Sequence, residues 1–275
     1  MNLNIGSRLA KWQIGQKVGA QGLLSRPRTF GARCPLSLRE EQEASGESLV
    51  GAPKAIPFFL EGDPFSMKTY KQLFPKIYDY ENLLLAHENA RRGKRNNSEI
   101  VNFHEKCETH LSELKDEIAS GSWRPDPYRE FVQIGLVKRR VIHAPSYRDR
   151  VVHHAIAQVI LPVLEPGWIY DSYACRQGKG SHRAVKRLQS FLRRCNTNTY
   201  VLQLDISKYY PSIHHGVLLE RLSQRIADDD FLSMVEQLLY GFSKTGRGIP
   251  IGAYTSQIFA NVYLDILDHF AKECL

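Results

Sequence analysis

The stretch Tyr200-Val-Leu-Gln-Leu-Asp205-Ile-Ser-Lys-Tyr-Tyr210-Pro-Ser-Ile213 decides how this chain reads. Val201, Leu202 and Leu204 make a short apolar strand that delivers one carboxylate, Asp205, at its C-terminal end. Hard cations gather at such positions. A lone Asp after a strand is, by itself, a common turn former. Tyr210 lifts this one above that reading, because an aromatic five residues on, ahead of Pro211, can fold back over the sugar of a metal-held nucleotide. Together the two residues fit a phosphoryl-transfer site.

Toward the C-terminus lies Gly248-Ile-Pro-Ile-Gly252-Ala-Tyr-Thr-Ser256-Gln257. Its Gly/Pro loop has bare backbone that can approach a flat base pair, and it opens a helix whose N-terminus favours phosphate. Alone the pattern is weak, since a Gly/Pro loop before a helix is common punctuation.

Toward the N-terminus the charge concentrates. Residues 124–194 hold 14 Lys/Arg against five Asp/Glu, a local +9 that exceeds the +8 of the whole chain. A basic segment of this kind favours a polyanionic partner, because phosphate contacts release condensed counterions. Lys138, Arg139 and Arg140 fall near a hairpin tip, suited to grip a triphosphate, with Arg148 and Arg150 behind them. Asp149 reads as a surface partner for one of those arginines. His153-His154 and His214-His215 are adjacent pairs that point apart, so they read as solvated or core-edge histidines rather than metal ligands.

Composition is that of an ordinary globular protein, with 43% hydrophobic and 24% charged residues. No apolar run approaches the length of a membrane span. The five cysteines lie at least 20 residues apart, and neither a Cys-x-x-Cys pair nor a Cys/His ligand spacing is read among them, which argues against zinc and for a reducing, cytoplasmic setting.

The periodicity predicts helices over Tyr80–Arg92, from Ser98 (as cap) to Gly121, over Val151–Leu164, from a Ser181 cap with Val185, Leu188, Phe191 and Leu192 inward, over His214–Ile226 and over Thr255–Lys272. In the last, Phe259, Val262, Tyr263, Ile266, Leu267 and Phe270 form the apolar side. Phe131–Val137 and Val141-Ile142 read as a hairpin, and Tyr200–Leu204 as a strand. Residues 1–66 carry no sustained period; seven basic residues and no acid precede Glu40. A targeting presequence, a disordered basic arm, or a spurious leader with translation starting at Met67 all fit that segment.

From Met67 onward the chain resembles the first part of a bacterial reverse transcriptase. The carriers are Arg140-Val-Ile-His-Ala-Pro145 with Arg148-Asp149-Arg150-Val-Val-His153, then Ser172-Tyr-Ala-Cys-Arg176-Gln-Gly178-Lys-Gly180-Ser-His182, and the two motifs above. Ile251-Gly252 followed by Ser256-Gln257 resembles the enzymes of diversity-generating retroelements, where group II intron-type enzymes usually read Gln-Gly and Ser-Pro.

The resemblance implies an α+β fold: reverse-transcriptase fingers over 67–195 and a partial palm over 196–275 of a right-hand polymerase, C-terminally incomplete. It implies RNA-directed DNA polymerase chemistry, with an RNA template, a DNA primer, dNTPs and Mg²⁺ as ligands, and a small basic accessory protein as a partner. Asp205 and the Ile206 carbonyl correspond to metal ligands, and Tyr210 to the gate against a ribose 2′-hydroxyl. Ile251, Gly252 and Gln257 border the incoming nucleotide, while Arg176 and Lys179 lie toward the template. The family's Tyr-x-Asp-Asp hairpin does not occur in this sequence, so the resemblance also implies too few carboxylates for two ions and an unpaired apolar edge beside Asp205. A catalytically inactive nucleic-acid-binding remnant and a group II intron maturase are the competing readings.

Overall fold

The computed structural model describes residues 13–14, 69–135, 139–195 and 199–274. Its elements run β1 (Gln13–Ile14), α1 (Phe74–Ile77), α2 (Tyr80–Arg91), α3 (Ser98–Glu105), α4 (Cys107–Ala119), β2 (Arg129–Ile134) and β3 (Arg139–Ala144). After these come α5 (Tyr147–Leu164), α6 (Ser181–Leu192), β4 (Leu202–Gln203), α7 (Tyr209–Ser212), α8 (His215–Ser223), α9 (Asp229–Phe242) and α10 (Tyr254–Glu273).

The core is built around α5, whose Val151, Val152, Ala155, Ile156, Ala157 and Ile160 are all fully buried. A helix apolar on nearly every side has to be covered from several directions, and α2 and α10 supply the two largest contacts. The helix begins four residues earlier than its apolar run, at Tyr147, because Ser146 caps it by accepting the Asp149 N–H (3.2 Å). Asp149 itself is buried, and its Oδ2 accepts the Asp126 N–H (2.7 Å). This corrects the expectation of a surface ion pair: the carboxylate holds the approach to the hairpin instead.

The helix expected from Ser98 to Gly121 is two. Asn97, not Ser98, is the cap, accepting the Glu99 N–H (3.0 Å), and Lys106 leaves helical geometry at φ −116°, ψ 35°. Helix α9 adds an element the periodicity scan passed over. Asp228 caps it through Phe231 N–H (3.1 Å) while its other oxygen accepts Leu73 N–H (2.6 Å) and Phe74 N–H (3.0 Å). One side chain thereby fastens α9 to α1.

Two sheets are present among the described residues, each of two antiparallel strands. In one, β2 pairs with β3 in a register that sets Ile134 opposite Arg139 and Arg129 opposite Ala144. Arg139 and Arg140 therefore open β3 at the tip end of the hairpin, near the turn as expected, and Lys138 lies outside the described residues. In the other, Gln13–Ile14 pairs with Leu202–Gln203. The strand before Asp205 is thus shorter than the predicted Tyr200–Leu204 and has a partner along one edge. The rest of the 1–66 leader lies outside the described residues.

Helix α6 departs most from expectation. Gly180 precedes it at φ 107°, and none of its residues is buried. Val185, Leu188 and Phe191 are 54%, 48% and 36% exposed, so the face predicted to point inward meets solvent. The same holds for Ile266, Leu267 and Phe270 of α10, whose last buried residue is Val262. A moment measures asymmetry along a helix, not whether another element covers it. No described helix is long and apolar enough to cross a membrane.

Candidate active site

The site begins at the end of β4. Asp205 is exposed and Ile206 is 40% exposed. Lys208 then adopts a left-handed conformation at φ 51°, which reverses the chain into α7. That short helix points Tyr209 inward, where its hydroxyl donates to the Ala260 carbonyl of α10 (2.6 Å). Tyr210 is half-buried beside it, the two rings edge to face at 5.9 Å. Burial, with a smaller contribution from the Cys175 thiol, pushes the Tyr210 phenol up.

The Gly248–Gln257 loop is laid directly on α7. Ile249 N–H donates to the Tyr210 carbonyl (3.1 Å) and Gly248 N–H to the Ile213 carbonyl (2.8 Å). His215 completes the clamp: its backbone N–H donates to Gly246 O (2.9 Å) and its buried ring Nε2 to Gly248 O (2.7 Å). A carbonyl only accepts, so the contact fixes this ring with its proton on Nε2. His214 stays exposed and bridges Arg247 through backbone pairing.

The far side of the loop meets the β2–β3 hairpin. His143 N–H donates to the Ile251 carbonyl (2.8 Å). Gly252 sits at φ 133°, where a Cβ would stand 2.8 Å from His143 O and 3.0 Å from Ile142 Cγ2. Only glycine allows strand and loop to approach so closely. Beyond the loop, Thr255 and Ser256 are buried in the first turn of α10, while Gln257 and Ile251 are half-buried. Thr255 Oγ1 meets His153 Nδ1 (2.8 Å), and Tyr254 packs on the His154 ring at 4.7 Å. Burial drives His153 down to about 3 and His154 down to about 4, so both are neutral packing groups. Of the two options open for this pair, solvated or core-edge, His153 takes the core.

The basic residues divide into two kinds. Arg139 and Arg140 are exposed and face solvent from β3. Arg148 is ion-paired with Glu117 of α4, and Arg150 is half-buried. Arg176 is turned into the protein, its side chain only 8% exposed. Its Nε donates to Glu165 Oε1 (3.0 Å), and its Nη1 to the carbonyls of Ile169 (2.9 Å) and Ser172 (3.2 Å). Lys179 donates to Tyr170 O (2.6 Å) and covers the Tyr170 ring at 3.7 Å. Asp171 gathers Arg187 (2.8 Å) and Lys272 (2.7 Å), whose hydrogen bonds hold its carboxyl down near 2 against burial. Arg148, Arg176, Lys179 and Arg187 therefore engage their charge within the molecule.

A family model described as "Reverse transcriptase (RNA-dependent DNA polymerase)" matches residues 133–274, just over half of the chain. The chain belongs to that family. It is 27% identical over 173 residues to Protein YkfC of Escherichia coli (strain K12), covering 59% of this chain and 45% of that protein. It is 25% identical over 227 residues to the Group II intron-encoded protein LtrA of Lactococcus lactis subsp. cremoris, covering 77% of this chain and 36% of LtrA. It therefore spans less than half the length of these curated relatives. A chain in the solved "Partial Cas6-RT-Cas1--Cas2 complex" superposes with a TM-score of 0.48 at 17% identity, over 73% of this chain and 34% of that one.

Divalent ions in such enzymes need oxygen ligands of high charge. The only group of three His, Cys, Asp or Glu ligand atoms close enough to share an ion, among the described residues, is His87, His104 and Cys107. Asp205 belongs to no such group. One exposed carboxylate does not fit a pair of Mg²⁺ ions.

Proposed function

We propose that this chain supplies the fingers (67–195) and the first part of the palm (196–275) of a cytoplasmic RNA-directed DNA polymerase, which adds dNTPs to a primer 3′-hydroxyl on an RNA template. The observation that carries the reading is the three-way junction at the Gly248–Gly252 loop. Backbone bonds tie it to the Tyr210 and Ile213 carbonyls on one side and to His143 on the other. Family membership supports what converges there: Tyr210 as the sugar gate, Ile251, Gly252 and Gln257 beside the nascent pair, and Arg139 and Arg140, with Lys138, on the triphosphate. Asp205 and the Ile206 carbonyl are the chain's own contribution to a Mg²⁺ site whose other carboxylates come from outside the described residues. Arg148, Arg150, Arg176 and Lys179 shape or line the nucleic-acid path.

The test is primer extension on a primed RNA with Mg²⁺ and dNTPs, using the 275-residue chain alone and fused to the C-terminal part of a relative's polymerase domain. Extension is expected from the fusion only, and is expected to vanish in Asp205→Ala. A folded fusion that extends equally well with Asp205→Ala would overturn the assignment.

A second reading bears on the template. The Ile251-Gly252…Ser256-Gln257 pattern favours a diversity-generating element with a small basic accessory protein, whereas the resemblance to LtrA favours an intron RNA. Ile251→Gln in the active fusion distinguishes them: fewer errors opposite template adenine support the former, and unchanged errors with tight binding to an intron RNA support the latter.

A further inference from the structure

We propose that His87, His104 and Cys107 form a binding site for a thiophilic divalent cation of the zinc class, which pins α2 to the α3–α4 junction. None of the three residues belongs to the polymerase site described above.

Three features converge. His87 is fully buried on α2, and its Nδ1 meets the Tyr147 hydroxyl (2.9 Å), which leaves Nε2 directed at His104 Nδ1 (3.1 Å). The break at Lys106 ends α3 and starts α4, so that His104 and Cys107, three residues apart, face one point. The three ligand atoms lie within 4.8 Å of one another. Ligand atoms around a tetrahedral zinc stand roughly 3.3–3.8 Å apart, so closing the set takes a shift of about 1 Å. Ring packing fixes the orientation: His87 stacks on Phe103 (5.3 Å, 27°) and on His104 (5.3 Å, 17°).

The donors select the ion. Two imidazole nitrogens and one thiolate suit a borderline-soft cation and offer nothing to Mg²⁺ or Ca²⁺. Tyr147, whose hydroxyl meets His87 Nδ1 at 2.9 Å, acts as the outer partner that orients the ring. Thiolate ligation by Cys107 releases its proton to solvent on binding. One group competes. Arg91 Nη1 lies 2.6 Å from His104 Nδ1 and donates to the lone pair the ion needs. Its Nε is already 3.3 Å from Glu88, a carboxylate toward which the guanidinium can swing.

The experiment titrates the full chain with Co²⁺ and follows the visible spectrum, with Zn²⁺ competition for affinity. One equivalent should produce d–d bands and a thiolate-to-metal charge-transfer band, both removed by Zn²⁺. Cys107→Ser should lose the charge-transfer band while keeping its helical circular dichroism. Tyr147→Phe should weaken Zn²⁺ binding about tenfold or more, and Arg91→Gln should tighten it. Absence of the band at one equivalent in both the native chain and Arg91→Gln would overturn the proposal. So would a band that survives Cys107→Ser, which would place the ion at another cysteine.

Discussion

A Cβ on Gly252 would stand 2.8 Å from the carbonyl oxygen of His143, a backbone atom with nowhere to retreat. The strand and the loop are in contact because this residue has no side chain. Gly252→Ala should therefore cost about 1–3 kcal/mol of stability. It should also speed amide exchange at His143, whose N–H bonds Ile251 O. Thermal melting together with exchange at that amide checks both.

The Arg139 and Arg140 side chains are exposed, whereas Arg176 is held by three protein acceptors. The two kinds of arginine should respond differently to neutralisation. Replacing Arg139 and Arg140 by Gln should reduce the salt slope of RNA binding by up to about 2 and leave the melting temperature alone. Arg176→Gln should instead lower stability by roughly 1–3 kcal/mol. Filter binding at several salt concentrations, paired with melting curves, separates the outcomes.

Burial raises the Asp149 carboxyl to about 6 against the Asp126 N–H and Ser146 bonds that lower it, and its Oδ1 has no hydrogen-bond partner. A folded value above the ordinary 3.8 means that its contribution is complete at low pH and is lost as pH climbs through 6. His153, driven down to about 3, works in the opposite sense and loses stability as pH falls below 6.5. Asp149→Asn isolates the first effect. The variant should gain on the native chain between pH 4 and pH 7.5, by up to about 3 kcal/mol. Urea denaturation at the two pH values measures it, and a constant difference would contradict the assignment.

Leu188 is 48% exposed on α6, although the sequence places it on an apolar face. Leu188→Lys should leave the melting temperature unchanged within about 0.5 kcal/mol and raise solubility. A large loss of stability would show that the face is covered in the native protein.

His215 Nε2 holds Gly248 O at 2.7 Å from a buried ring. His215→Ala should release the Gly246–Gly248 turn at a cost of about 1–3 kcal/mol, because the carbonyl keeps its burial and loses its donor. Melting and proteolysis near Arg247 are the measurements.

Local signals carried far along this chain. The apolar runs of α2, α5 and α10 and the Asp205–Tyr210 spacing led to the right elements and to the family. Long-range placement was what they left out. Nothing local told Asp149 from a surface acid, since its burial depends on Asp126 N–H arriving from 23 residues away. The inward face assigned to α6 was a statement about asymmetry, and its partner is another element's property. Helix α9 did announce itself, through Asp228 as cap with Phe231, Met234, Val235, Leu238 and Leu239 following at helical spacing. The reading that no Cys/His ligand spacing exists passed over His104 and Cys107, three residues apart, and His87 joins them only through the fold.

Among the described residues, the β2–β3 hairpin is anchored at its Ala144 end. Ala144 is buried and His143 is bonded to the loop, whereas Arg139, four residues away, is exposed. At about 3.3 Å per residue the free arm is roughly 13 Å long. A rotation of about 10° at His143 would then sweep Arg139 through some 2 Å, the difference between a direct hydrogen bond and a water-filled gap. The hairpin is a lever whose fulcrum is the Gly248–Gly252 loop, so any shift of that loop and the reach of the arginines share one mechanical coordinate.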